Sequence, residues 1–306
     1  MSTTAGELRA ADREGEITWG DDFRTWYRVT GDLGAGVPLV ALHGGPGAPH
    51  DYLLTVADLA TSGRAVVHYD QLGCGRSQHL PDRGADFWTP QLFLAELDAV
   101  LAHLGIEAYD LLGQSWGGML AAEHAVRQPE GLRRLVIADS PASMQLWSAE
   151  AGRLRAELPA EVAAALTEYE AREQYDAPEY LAAMQVFYDR HVCRVVPNPA
   201  EVTATFTAIE ADPTVYHTMN GPTEFTVLGS LQGWTIIDRL ELIDAPTLLV
   251  SGQYDEATRA CVQPFADAID DVAWVVFEHS SHMPHVEERE LFMAVVGEFL
   301  DADGRD

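Results

Sequence analysis

A serine stands between two glycines in the segment GQSWG at residues 113–117. A short apolar run precedes this segment, and a stretch with helical spacing follows it. In such a strand–turn–helix context, the pattern G-x-S-x-G is typical of a sharp turn that projects the serine hydroxyl from the end of a strand. We therefore predict that Ser115 is a nucleophile for acyl transfer, and the alternative is a glycine-rich turn without chemistry.

A serine hydroxyl is a weak nucleophile and needs a base that a third group orients. Where a serine lies on such a turn, the acid and then the histidine follow it along the chain. Asp255 and His282 each follow an apolar run, TLLV and AWVVF. We predict that Asp255 orients His282, which takes the proton of Ser115. The alternatives are Asp139 for the acid and His285 for the base, although a last helix that begins beside His285 would turn it away.

A second glycine-rich segment, HGGPG at residues 43–47, follows the apolar run PLVAL. A loop of this kind brings backbone N–H groups to the carbonyl oxygen of a substrate. One donor to the oxyanion comes from such a loop, and the other is the N–H that follows the nucleophile. This predicts backbone donation from Gly45 and Trp116, and the alternative is a plain tight turn.

The elements that must position these residues alternate along the chain. Apolar runs that predict strands occupy residues 17–19, 25–29, 38–42, 65–69, 110–113, 135–138, 247–250 and 273–277. Helical spacing recurs between many of them, at 92–104, 117–127, 258–269 and 287–300. Buried strands that alternate with helices predict an α/β fold, with a mostly parallel central sheet and helices on both faces.

The alternation stops in the middle of the chain, where the pattern is mostly helical from about residue 143 to 234. We predict one α/β domain whose core, residues 1–142 and 235–306, is interrupted by a helical cap, residues 143–234. Because this insertion leaves and rejoins the sheet at strand ends, it would lie over the loops where such sheets bind ligands.

Composition excludes several classes of function. The chain has 48 acidic residues against 19 arginines and no lysine, a net charge of −29. Such a surface repels nucleic acid and anionic membranes, and it fits either a compositional bias or a high-salt habitat. No apolar run could span a membrane, and the N-terminus does not resemble a signal peptide. Three widely spaced cysteines argue against disulfides or a zinc site. We expect a cytoplasmic protein without metal or other cofactor.

Beyond the single motifs, the sequence resembles the proline iminopeptidases of the α/β-hydrolase fold over nearly its whole length. The resemblance is carried by HGGPG at 43–47, DQLGCGRS at 70–77, GQSWGG at 113–118, SGQYDEA at 251–257 and SSHMPHVEE at 280–288. Two segments of the helical region, FYDRHVCR at 187–194 and YHTMNGPTEF at 216–225, resemble the subgroup that includes the tricorn-associated aminopeptidase and L-amino acid amidases. Leu72 departs from the arginine that many members have in the second block.

The resemblance implies a metal-free hydrolase that removes an N-terminal residue, typically proline, from short peptides or amino-acid amides. It also implies that carboxylates on the cap side hold the free amine of the substrate. By matching motif these are Glu224 and Glu256, with Tyr216 beside them and Gly44 also assigned to the substrate site. The physics agrees, because a buried ammonium needs carboxylate partners. Five aromatic residues could form an apolar wall for a proline ring, or could belong to the core: Trp116, Trp147, Phe187, Phe206 and Trp234.

Other functions on the same scaffold stay open from the sequence. An esterase, a lactone hydrolase or a carbon–carbon bond hydrolase would use the same Ser115, Asp255 and His282 without the two glutamates. Epoxide hydrolases and dehalogenases of this fold need aspartate at the nucleophile position, so Ser115 excludes them. A non-catalytic binding protein is the remaining class, although all three members of the triad are present. No feature of the sequence indicates an oligomeric state.

Overall fold

The computed structural model of the chain describes residues 7–302, which form one eight-stranded sheet with helices on both faces. The strands are β1 (Arg13–Trp19), β2 (Phe23–Thr30), β3 (Leu39–Leu42), β4 (Val66–Tyr69), β5 (Tyr109–Gln114), β6 (Leu132–Ala138), β7 (Thr247–Gly252) and β8 (Val272–Phe277). In spatial order they run β1-β2-β4-β3-β5-β6-β7-β8. β2 pairs antiparallel with both β1 and β4, and every other pairing is parallel.

Alternate residues of each central strand enter two separate hydrophobic cores. In β3, for example, Val40 and Leu42 pack into one core, whereas Leu39 and Ala41 pack into the other. Because both faces are covered, these strands are apolar at nearly every position, which is the pattern that identified them in the sequence. The predicted α/β class and parallel sheet are confirmed.

The helices connect these strands and include a long helical stretch between β6 and β7. Within residues 7–302, two α-helices precede this stretch and three follow it. Three 3-10 helices cover residues His50–Ser62, Ser230–Gly233 and Ile237–Leu242. The helices are α1 (Pro90–Leu104), α2 (Trp116–Ala125), α3 (Met144–Ala156), α4 (Ala160–Glu170), α5 (Pro178–His191), α6 (Ala200–Ala211), α7 (Thr214–Met219), α8 (Arg259–Ala268), α9 (Pro284–Glu287) and α10 (Arg289–Asp301).

The helical stretch α3–α7 begins and ends at neighbouring points of the sheet. An isolated antiparallel bridge joins Ser143 to Thr235, close to both predicted boundaries of the cap. Within the helical stretch, α6 packs against the 3-10 helix of residues 50–62. The division into a core and a cap of residues 143–234 stays a proposal, and the bridge supports it. Within residues 7–302, no helix is both long and apolar enough to cross a membrane.

Candidate active site

Ser115 lies between β5 and α2 in a strained turn. Its backbone φ is 56°, a left-handed conformation that costs energy for any residue with a Cβ. Only glycine fits on either side: a Cβ on Gly113 would lie 2.0 Å from the carbonyl oxygen of Gly117. A Cβ on Gly117 would lie 2.1 Å from the carbonyl oxygen of Leu42. The turn thus has the shape that the G-x-S-x-G pattern predicts, and Ser115 lines a cavity beyond the end of the strand.

His282 and Asp255 form a buried pair beside the same cavity. The Nδ1 atom of His282 lies 2.7 Å from Oδ1 of Asp255, which also accepts from the N–H of Ala257 at 2.8 Å. The two side chains lie past the ends of β8 and β7, which are neighbours in the sheet. Because Nδ1 is bound to the acid, Nε2 of His282 is the nitrogen that can accept a proton. His282 and Ser115 both line the cavity.

The two alternative residues take other positions. Asp139 is fully buried and its carboxyl group contacts that of Asp255. His285 is buried too, and its Nε2 lies 3.1 Å from the carbonyl oxygen of Tyr52. The histidine that pairs with Asp255 in the structure is therefore His282.

The surroundings of His282 favour its charged form. Burial lowers the pKa of the imidazole, but the charge of Asp255 and its hydrogen bond raise it. Glu224 and Glu287 raise it further, so that the pKa of His282 lies above its usual 6.5. The indole of Trp147 packs edge-on against the imidazole, with ring centroids 5.9 Å apart.

The HGGPG loop is fixed by hydrogen bonds to both polar backbone groups of Gly44. Nε2 of His43 accepts from the N–H of Gln71 at 2.9 Å, so Nδ1 carries the proton and donates to the Gly44 carbonyl at 3.0 Å. Burial lowers the pKa of His43 to about 4, which keeps the ring neutral. The N–H of Gly44 donates to the hydroxyl of Tyr52 at 2.7 Å. The backbone that leads to Gly45 is therefore held in place.

Tyr52 and Gln114 continue this network to the histidine. The Tyr52 hydroxyl donates to Oε1 of Gln114 at 2.5 Å, and Nε2 of Gln114 donates to the carbonyl of His282 at 2.8 Å. The N–H of Tyr52 donates to Thr205 in α6 at 3.1 Å. Neither role was predicted from the sequence, although Gln114 lies inside the serine motif and Tyr52 follows the HGGPG loop by five residues.

The two predicted oxyanion donors lie in the wall of the same cavity as Ser115. Gly45 and Trp116 line one cavity together with Ser115, and within residues 7–302 their backbone N–H groups have no protein acceptor. The Trp116 indole donates to Oε1 of Gln71 at 2.9 Å, which ties this turn to the HGGPG loop. The arrangement leaves two N–H groups available to a substrate oxygen.

Glu224 faces the cavity from the helical stretch. It lines the same cavities as Ser115, and its carboxylate forms a hydrogen bond with the hydroxyl of Tyr216. Its backbone carbonyl accepts from the indole of Trp147 at 2.7 Å. Burial raises the pKa of Glu224 above its usual 4.5, although His282 and Tyr216 act in the opposite direction.

Glu256 lies directly after Asp255 and is only 1% exposed. Its Oε1 is 4.0 Å from Nε2 of His282. In the described part of the chain neither carboxyl oxygen of Glu256 has a hydrogen-bond partner. Burial, followed by the charges of Glu224 and Asp255, raises the pKa of Glu256 well above its usual value. A buried carboxyl group without a partner is costly, and a cation bound here would supply one.

Apolar side chains line two parts of the site. Both parts share Ser115, Gly45 and Glu224, but one extends past Trp116 and the other past His282. The first is lined by Met119, Met144, Trp147 and Leu231, and the second by Val192, Phe206, Ile209 and Met283. Of the five aromatic candidates, Trp116, Trp147 and Phe206 thus line the site, whereas Phe187 is buried against Phe225 and Trp234 donates to Glu123.

Comparison with known proteins identifies the fold family of the chain. The model of the alpha/beta hydrolase fold family matches residues 37–289, which include the serine turn, the HGGPG loop and the acid–histidine pair. The sheet order and the positions of Ser115, Asp255 and His282 at strand ends agree with that class.

Individual proteins of known name are similar to this chain over most of its length. A proline iminopeptidase of Lactobacillus delbrueckii subsp. lactis is 37% identical over 91% of this chain and 95% of that protein. The solved structure of a proline iminopeptidase from Mycobacterium smegmatis is 54% identical, with a TM-score of 0.88 over 94% of this chain and 97% of that one. The crystal structure of VinJ is 53% identical, with a TM-score of 0.94 over 95% and 99%. The chain belongs to the proline iminopeptidase family of the α/β hydrolases.

Proposed function

We propose that this protein is a serine hydrolase that releases an N-terminal residue, proline above all, from short peptides or amino-acid amides through an acyl-enzyme. The observation that carries the proposal is Glu256, whose two buried carboxyl oxygens have no hydrogen-bond partner in residues 7–302. It lies beside His282, and Glu224 faces the same site. The names of the curated relatives, proline iminopeptidases, support the same substrate class.

The first step is recognition of the free amine. Burial raises the pKa of both Glu224 and Glu256, so their charged forms are disfavoured. A substrate ammonium placed between them supplies the missing opposite charge and favours the ionised carboxylates. The amine then fixes the neighbouring carbonyl carbon at Ser115. Tyr216 holds one of the two carboxylates through its hydroxyl.

Acylation follows from the arrangement of Ser115 and His282. His282 Nε2 takes the hydroxyl proton as the Ser115 oxygen attacks the carbonyl carbon. The N–H groups of Gly45 and Trp116 stabilise the oxyanion, and Asp255 stabilises the imidazolium. His282 then gives its proton to the leaving nitrogen and the carbon–nitrogen bond breaks. In the second half, His282 activates a water that attacks the ester, and Ser115 recovers its proton.

The two parts of the site divide the substrate between them. The leaving nitrogen must lie next to His282, because this residue protonates it. The part lined by His282 and Met283 therefore takes the leaving group. The part beyond Trp116 and Trp147 takes the side chain of the released residue, and its apolar walls suit a proline ring.

In a second class of enzyme, the buried acids Glu224 and Glu256 would have no role. An esterase or lactone hydrolase would use Ser115 and His282 equally well, but it would leave Glu256 buried without a ligand. We also propose a cytoplasmic location, which the three cysteines support because all are buried and free.

The products released from a short panel of substrates test the proposed function. We expect free proline from prolyl dipeptides and from prolinamide, since both present an amine beside the scissile carbonyl. Peptides with an internal proline and a blocked N-terminus should stay intact. Mass spectrometry of the products would oppose the proposal if internal bonds were cut or if no amino-terminal substrate were hydrolysed.

The pH dependence of the reaction should report His282. Only the neutral imidazole accepts the Ser115 proton, so activity falls as the pH drops through the raised pKa. For a simple neutral ester, kcat/KM should rise with an apparent pKa above 6.5. Glu224→Gln should move this limb to lower pH, because it removes one charge that raises the pKa of His282. Glu161→Gln, an exposed change on α4, is the matched control. An acidic limb below 6.5 would contradict the charge arrangement.

Replacing Tyr52 by phenylalanine should weaken the HGGPG loop. The change removes the oxygen that accepts from Gly44 and the hydroxyl that donates to Gln114. We expect the free energy of unfolding to fall by about 1–3 kcal/mol, because buried polar groups lose their partner. We also expect kcat to fall, because Gly45 follows the loosened residue. Tyr109→Phe removes a buried hydrogen bond to His124 away from the site, so it should cost stability and leave kcat as it is. Equal kcat values for both variants would refute the role of Tyr52.

A further inference from the structure

Asp139 directly follows β6, and its carboxyl group is a neighbour of that of Asp255. It is fully buried and has a left-handed backbone with φ 52°. Its N–H donates to the carbonyl of Val250 at 2.8 Å, and its Oδ1 accepts from the N–H of Gly252 at 3.1 Å. Both contacts are with β7, so the side chain is held against the strand that leads to Asp255.

The carboxyl groups of Asp139 and Asp255 are in hydrogen-bonding contact. Oδ1 of Asp255 is occupied by His282 and by the N–H of Ala257. Oδ2 of Asp139 and Oδ2 of Asp255 are both buried, and within the described residues neither has another partner. Neighbouring buried carboxylates disfavour each other's ionisation, and a proton on one of them would allow a hydrogen bond between the two.

Asp255 accepts more hydrogen bonds than Asp139. Two N–H groups donate to Asp255, one of them from His282. Within residues 7–302, one N–H group donates to Asp139, that of Gly252. Burial first, and then the charges of Asp255 and Glu287, raise the pKa of Asp139 well above its usual value.

We propose that Asp139 is a positioning residue: as a neutral acid, it donates a hydrogen bond from Oδ2 to Oδ2 of Asp255. The bond fixes the plane of the Asp255 carboxylate, so that Oδ1 stays directed at His282. This inference rests on the role of Asp255 given under the proposed function. The titratable groups that interact with Asp139 or Asp255 include His282, Glu287, Glu256, Tyr52, His191 and Cys261.

Two substitutions separate a neutral donor from a charged acid. Asp139→Asn keeps an oxygen for the N–H of Gly252 and supplies an N–H for Asp255, so kcat should fall by only about threefold. Asp139→Leu has a similar size but no donor, so Asp255 can rotate and kcat should fall by about 10²-fold with little change in KM. The acidic limb of kcat/KM in Asp139→Asn should stay at the wild-type pH, because no charge is lost. A loss in Asp139→Asn as large as in Asp139→Leu, or a shift of that limb to lower pH, would overturn the proposal.

Infrared spectroscopy detects the proton on the Asp139 carboxyl group independently of catalysis. The difference spectrum between wild type and Asp139→Asn should contain the C=O stretching band of one protonated carboxylic acid. The appearance of a carboxylate band instead would refute a neutral Asp139, and this readout stays valid if Asp139→Leu fails to fold. If the acid band is present but Asp255→Asn keeps full activity, the proposed function of Asp255 fails while the protonated Asp139 stands.

Discussion

Replacing Ser115 by alanine is expected to lower kcat by about 10⁶-fold, the size of loss seen when the nucleophile of a serine hydrolase is removed. The fold should remain, because the change removes a single oxygen atom and keeps the Cβ of the residue, so the free energy of unfolding should change by less than about 1 kcal/mol. The measurement is single-turnover and steady-state hydrolysis of a prolyl anilide by purified protein.

Ser140→Ala is the control for this change. Ser140 is buried beside the same turn, and its hydroxyl has no hydrogen-bond partner in the described residues, so its loss should leave kcat near the wild-type value. A fluorophosphonate should label the wild type at Ser115 and leave Ser115→Ala unlabelled. Hydrolysis at the wild-type rate by Ser115→Ala would remove Ser115 from the mechanism. A wild type that resists the label would favour a non-catalytic binding protein.

Replacing Glu224 or Glu256 by glutamine is expected to reduce kcat/KM for free-amine substrates by about 10²-fold. Removing one partner of a desolvated charge pair costs about 2–5 kcal/mol, because the ammonium is left without its counter-charge. For neutral esters the loss should be less than about tenfold, since they do not use this contact. The ratio of kcat/KM between the two substrate types is the measured quantity.

The same net charge change outside the site controls for long-range effects. Glu161 is exposed on α4, and Glu161→Gln should leave that ratio unaltered because exposed charges are screened by solvent and salt. Equal losses on amine and ester substrates in both site variants would mean that Glu224 and Glu256 support the structure and do not bind the amine.

The parts of the site that follow strand ends could be predicted from the sequence. Ser115, Asp255 and His282 come after apolar runs, and the carboxyl ends of parallel strands meet at one edge of the sheet. The predicted order of strands and turns is therefore sufficient to predict that these three residues lie close together. The HGGPG loop was found for the same reason, because it follows β3.

Contacts that depend on the order of the strands or on the packing of loops could not be predicted. Asp139 is an alternative acid in the sequence because it follows a predicted strand. Its contact with Asp255 arises only because β6 and β7 are neighbours in the sheet. The bond between Gln114 and His282 joins residues 168 positions apart, and no local pattern marks such a pair. Glu224 and Glu256 came from the resemblance to a family, since an acid in so acidic a chain carries little information by itself.

The most direct measurement of the central claim is kcat/KM for a prolyl anilide beside its N-acetylated twin. The two substrates share the ring, the scissile bond and the leaving group, and they differ only in the charged amine. A site in which Glu224 and Glu256 bind the ammonium should prefer the free amine by about 10²-fold or more. Two results would contradict the proposed aminopeptidase function: equal kcat/KM values for both substrates, or hydrolysis of neither while simple esters are cleaved. Either result would still be compatible with Ser115 and His282 as a hydrolytic pair.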